Sequence, residues 1–128
     1  MTRQYRHIVV ERKIDVFCIH LRQRKLDESE IYALADELLH LISAEGCRKM
    51  VISLGPDEPQ CLYSVFLAKL ISVRRHLMEK GGALKLCEAG SAVTDVFAAC
   101  QLKDYFDFAP DEETAIEQFA RGVPSGGR

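Results

Sequence analysis

Hydrophobic positions along this chain switch between two periods. Residues 7–12 (HIVVER) read as a first strand and residues 16–21 (VFCIHL) as a second. Successive side chains of a strand point to opposite sides, so Phe17, Ile19 and Leu21 share one face and Val16, Cys18 and His20 the other. Lys13, Ile14 and Asp15 between them suggest a hairpin, without the usual Gly or Asn. Asp27 reads as a helix cap whose carboxylate accepts the free N–H groups of the first turn, and Glu30, three residues on, completes a capping box. Ile31, Leu34, Ala35, Leu38, Leu39 and Ile42 follow at helical spacing, and Gly46 ends the helix.

The second half alternates in the same way. Residues 49–54 (KMVISL) form a short buried-looking strand, and 55–60 (GPDEPQ) break regular structure with two prolines and a glycine. A second helix over 64–80 turns Phe66, Leu67, Leu70, Ile71 and Leu77 inward and stops at Gly81-Gly82. A strand over 83–86, a helix over 91–100 with Val93, Val96 and Phe97 inward, and a strand over 105–108 follow. Pro110 and Asp111 open a fourth helix carrying Ile116, Phe119 and Ala120. The order β-β-α-β-α-β-α-β-α predicts an α/β fold: a four- to five-stranded mixed sheet, parallel across the helical crossovers and antiparallel at the opening hairpin. One domain over 7–121 is expected, with flexible termini at 1–6 and 122–128.

Composition narrows the function. At 128 residues the chain can bury one core, and its 48% hydrophobic and 28% charged content suits a globular domain. A net charge of −2 gives no long-range attraction for a polyanion, so nucleic acid is not an expected partner. The basic runs Arg22-Gln23-Arg24-Lys25 and Arg74-Arg75-His76 read most simply as solvated faces. No stretch approaches the roughly 20 apolar residues of a membrane span, and the first residues lack a signal-peptide pattern. Five cysteines at wide spacing, with no Cys-x-x-Cys pair, read as reduced thiols of a cytoplasmic protein.

Little points to catalysis. Cys61 precedes a helix start, a setting that lowers thiol pKa, yet no neighbouring base and no phosphatase signature accompany it. His7, His20, His40 and His76 lie on different elements, so no metal site is expected. Gly81-Gly82 precedes a strand and is a helix stop, not a phosphate loop. No catalytic residue, metal or cofactor is therefore assigned.

The element order and several landmarks resemble the STAS domain, the family of bacterial anti-anti-sigma factors, found also at the end of sulfate transporters. The landmarks are Leu26-Asp27 before the first helix, Gly81-Gly82 after the second, the stretch 87–97 (CEAGSAVTDVF), and 111–116 (DEETAI) at the last helix. The resemblance covers about residues 8–119. It implies a module that binds an anti-sigma factor/serine kinase and so regulates transcription. In that family a kinase phosphorylates the second hydroxyl residue of an Asp-Ser-Ser/Thr-Gly motif at the mouth of the second helix. Counting back from Gly81, the matching tetrad here is Tyr63-Ser64-Val65-Phe66, so Tyr63 replaces the Asp and Val65 the acceptor. Binding without phosphorylation at the usual position is expected.

Ser64 keeps a hydroxyl one place early. A phosphate there would meet the positive end of the helix dipole, although a capping role for Ser64 is the simpler reading. Asp57 and Glu58 could present charge to a basic partner, or be a solvated turn. If the resemblance holds, that loop, the start of the second helix and Asp27 share one binding face. The alternatives are an adaptor subunit of a transporter or stress-sensing complex, and a small-ligand-binding domain, which would need a deep polar pocket. A homodimer is left open.

Overall fold

The computed structural model describes residues 5–55, 59–61 and 63–121. The elements are β1 (Ile8–Lys13), β2 (Val16–Leu21), β3 (Lys25–Leu26), α1 (Glu28–Ala44), β4 (Lys49–Ser53), β5 (Gln60–Cys61), α2 (Tyr63–Glu79), β6 (Ala83–Cys87), α3 (Ser91–Ala99), β7 (Asp107–Ala109) and α4 (Glu112–Ala120). Five strands form the main sheet in the order β1-β2-β4-β6-β7, with β1 antiparallel to β2 and every other neighbour parallel. This is the expected α/β fold with a mixed sheet and four helices. Two features go beyond it. The break over 55–60 ends in β5, and β5 pairs in parallel with β3 to make a separate two-stranded sheet.

The alternation read in β2 sorts the sheet into two faces. Phe17 and Ile19, with Met50 and Ile52 of β4 and Leu84 and Leu86 of β6, form one core with α1, α2 and α3. Val16, Cys18, Val51 and Cys87 form a second, smaller core under Ala115 and Phe119 of α4. Helix α1 starts on the predicted capping box: Asp27 Oδ1 accepts from Glu30 N at 2.8 Å, and Asp27 N donates to Glu30 Oε1 at 2.9 Å. Gly81 takes a left-handed φ of 81°, and a Cβ on Gly82 would lie 2.2 Å from the Arg48 carbonyl oxygen. The Gly-Gly pair thus both ends α2 and admits a close backbone approach.

Several expectations shift by a turn or a residue. The last strand is Asp107–Ala109, because Phe106 is held back by its N–H donating to Leu102 O and by edge contact with Phe97 at 5.4 Å. Leu41, Val73 and Ala115 are buried, whereas Leu39, Ile71 and Val96 are only partly so and Ala120 is exposed. Glu37 is buried in α1: its carboxylate accepts the backbone N–H groups of Arg6 and His7 at 2.9 and 3.0 Å. Tyr5, inside the segment expected to be a flexible terminus, is buried and donates its hydroxyl to Glu45 at 2.6 Å.

The second core is held by charge as well as by packing. Glu112, at the start of α4, accepts from Lys13 Nζ at 2.7 Å and hydrogen-bonds His20 Nε2 at 2.9 Å. Burial acts to raise its pKa, but hydrogen bonds from Lys13 and His20 win and hold the carboxylate below the ordinary glutamate range. Lys85 is 1% exposed, ion-paired with Asp107 of β7, and its ammonium lies 5.2 Å from the Phe119 ring centroid.

Both ion pairs lead to tests. A depressed folded-state pKa stabilises above the unfolded value, about 4.3, and that contribution disappears as pH falls through the folded value. Glu112→Gln should therefore cost about 1 kcal/mol near neutral pH. The gap to wild type should close in urea unfolding at pH values below both pKa values. Asp107→Ala strands a buried ammonium and should cost about 3 kcal/mol. The double variant Lys85→Met/Asp107→Ala should recover most of that loss, read from the same unfolding curves.

Candidate functional site

The carboxyl ends of β2, β4 and β6 lie along one end of the sheet, because the three strands run parallel. The small sheet arranges what leaves them. Lys25 pairs with Gln60 and Leu26 with Cys61, and Gln60 N donates to Arg24 O at 2.6 Å. Asp27 follows Leu26 directly, and Tyr63 follows Cys61 by two residues. The pairing therefore sets the first turns of α1 and α2 side by side. Lys69 of α2 lies 4.6 Å from the ring centroid of Tyr32 in α1, one turn further on.

Tyr63 is half-buried; its hydroxyl donates to Pro59 O at 2.7 Å and its ring meets Phe66 edge-on at 6.1 Å. It closes the end of the loop onto the helix. Ser64 is exposed. The helix begins at Tyr63, so Ser64 is its second residue and not the cap that sequence suggested. Val65 is half-buried and packs against the main core. Asp57 and Glu58 lie outside the described residues. Asp27 is exposed, and hydrogen bonds from Glu30 N and the Ser29 hydroxyl hold its carboxylate below the usual range.

Two neighbours of this end escaped the sequence reading. The Arg22–Lys25 run is not simply a solvated face. Arg22 Nε donates to Tyr5 O and Ile8 O at 3.0 and 3.2 Å, and Arg24 Nη2 donates to Gly55 O at 3.2 Å. Arg24 Nη1 is buried with no hydrogen-bond partner among the described residues. Glu88, just after β6, takes a left-handed φ of 56°, and a Cβ on Gly55 would lie 2.5 Å from its carbonyl oxygen. Only glycine at position 55 lets the loop leaving β4 pass this close to the loop leaving β6. A count of β-strand residues could not show either feature, since both depend on chain segments brought together from a distance.

The chemistry here is that of a surface. Burial pushes the Cys61 thiol up to about 11, against the lowering expected from a helix start, so it is protonated near neutral pH. Burial likewise pushes Cys18, Cys47 and Cys87 up to about 12. The histidines are dispersed: His7 on Glu37, His20 on Glu112, His40 against the Tyr5 ring, His76 on Ser72 O. Among the described residues no three of His, Cys, Asp or Glu gather so as to hold a metal ion. No helix among them is long and apolar enough to cross a membrane.

Neither a family model nor a curated protein matches this sequence. Solved structures do. An anti-sigma-factor antagonist (STAS) domain protein from Planctomyces limnophilus superimposes with a TM-score of 0.76 at 20% identity, over 88% of this chain and 97% of that one. The fold is that of a STAS domain. RsbS of Moorella thermoacetica gives a TM-score of 0.75 at 18% identity, over 91% of this chain and 97% of its own. The Bacillus cell fate determinant SpoIIAA, in its phosphorylated form, gives 0.66 at 17%, over 88% and 98%. On the STAS fold the tetrad Tyr63-Ser64-Val65-Phe66 occupies the mouth of the second crossover helix, with one hydroxyl, on Ser64, facing solvent.

The thiol at this mouth gives a direct check. Iodoacetamide near neutral pH should alkylate the exposed Cys100 first and Cys61 far more slowly. The Cys61 rate should climb about tenfold per pH unit until pH nears 11, followed by peptide mass spectrometry.

Proposed function

We propose that this chain is a non-enzymatic protein-interaction module that acts as an anti-anti-sigma factor. It binds an anti-sigma factor/serine kinase through the paired first turns of α1 and α2, and so releases a sigma factor to direct transcription. Asp27, Tyr63, Ser64 and Val65 form the centre of the contact, and Asp57 and Glu58 extend it. Competition is the mechanism: the kinase-type partner cannot hold this module and the sigma factor at once.

The observation that carries this reading is Val65. At the place where the resemblance puts the phosphoacceptor, the side chain is apolar, half-buried and part of the core. The usual off-switch has no hydroxyl to act on. Binding is therefore constitutive, or controlled by the partner's nucleotide state and supply. The solved structures of similar fold, among them antagonists of anti-sigma factors, support the role in general terms.

The chain incubated with an anti-sigma factor kinase and ATP should form a complex by calorimetry, with no phosphate gained by intact mass. Ser64→Glu should weaken that complex at least about tenfold, because negative charge enters a desolvated contact. Phosphate on Ser64 together with lost binding would overturn constitutive docking. Absence of any complex, with the fold intact by circular dichroism, would overturn the role itself.

A further inference from the structure

The second face of the sheet is only partly covered. Helix α4 packs over β2, β4, β6 and β7, while Val9, Glu11 and Lys13 on the same face of β1 stay open. A shallow groove of about 470 Å³ runs between that strand and the helix, lined by Lys13, Asp111, Glu113, Thr114, Ile116 and Glu117. Strand β1 is also the edge of the sheet. Its six residues pair with β2 in unbroken register, and no other strand among the described residues pairs with it. An open edge presents unpaired backbone N–H and C=O groups, a template for an added strand.

We propose that this edge and groove form a second docking surface, whose occupant is an extended, basic segment of a partner protein. Charge decides the occupant. The helix wall supplies Asp111, Glu113 and Glu117, and the sheet supplies Glu11 with its side chain 61% exposed. Two cations offset part of this charge: Lys13 lies 2.7 Å from Glu112 and 3.8 Å from Glu11, and Arg121 pairs with Glu117 at 3.0 Å, so the surplus rests on Asp111 and Glu113. Arg12 does not offset the carboxylates, because it lies on the opposite face with its guanidinium 4.4 Å from the Phe17 ring centroid. A strand added along β1 points every second side chain over the groove, so lysine or arginine at alternate positions meets this negative surplus. Apolar anchorage is at hand: Val9 is 42% exposed on the strand, and Ile14 at the hairpin tip is 86% exposed in a left-handed conformation that β-branched residues rarely adopt. The surface lies on the opposite side of the sheet from α1 and α2, so it does not rest on the reading of the α2 mouth.

The test is nuclear magnetic resonance titration of the labelled chain with a peptide of about ten residues, lysine alternating with threonine. A matched peptide with glutamate in place of lysine is the control. The lysine peptide should shift amides along Ile8–Lys13 and along 111–117, and should slow hydrogen exchange in β1. The glutamate peptide should do neither. Glu113→Lys/Glu117→Lys, two exposed positions, should lower affinity at least about tenfold with the fold intact by circular dichroism. Equal binding of both peptides would overturn the proposal, as would shifts confined to the start of α2. Shifts on α4 with unchanged exchange in β1 would overturn strand addition. Concentration-dependent protection of β1 in the protein alone would assign the edge to a second copy of this chain instead.

Discussion

Two pairs of residues hold one end of this domain together. Lys25–Gln60 and Leu26–Cys61 form a sheet only two residues long, yet it ties the segment after β2 to the segment before α2. Parallel strands with crossover helices bring the ends of β2 and β4 to the same edge of the domain in any case. They do not determine how the chain travels from those ends to the helices. The short pairing does, and it leaves the first turns of α1 and α2 adjacent. Gly55 adds the other half of the constraint, since its missing Cβ lets the β4 loop press against Glu88. A partner meeting this end therefore meets two helix starts on a stiff support, a favourable arrangement for recognition on loops.

The two faces of the sheet are stabilised differently. The first is a broad apolar core shared by three helices, where area buried does most of the work. The second carries one nine-residue helix and a small core; Glu112 ties α4 to Lys13 and His20, and Phe119 of α4 lies over Lys85, whose ammonium pairs with Asp107 of β7. A helix this short is marginal by itself in water. Buried ionic contacts are poor contributors to net stability, but a displaced α4 would take the Phe119 ring away from the Lys85 ammonium. The same economy of cover leaves β1 open.

What the sequence disclosed follows from which features are local. The Asp27–Glu30 capping box, the alternation of β2 and the stop at Gly81-Gly82 each depend on neighbours within a few residues, and each appears where it was read. The pairing of β3 with β5 could not be read, because two residues carry no period. The burial of Glu37 was not legible either; it follows from the backbone N–H groups of Arg6 and His7, about thirty residues away, converging on it. Lys85 sits between apolar residues in β6 and gave no hint of an ion pair with a strand that sequence placed two residues early. At the candidate site, the positions of Tyr63, Ser64 and Val65 at the helix start were legible to within one residue. Arg24 and Glu88 were not, since their roles exist only once distant loops touch.

Val65 shows how the start of α2 is packed. The first turn of α2 has one side facing solvent and one side facing the core. Ser64 points to solvent and Phe66 is fully buried, so the residue between them lies on the boundary. A serine at that boundary would fill the core less well on its inner side. A valine there packs against the core instead, and its burial favours the folded helix start by an amount of order 1 kcal/mol over a serine. The helix start is then better fixed, and under the proposed docking less conformational freedom would be lost on association. Under the docking proposed above, the packed helix start and the absent hydroxyl would both follow from the same side chain.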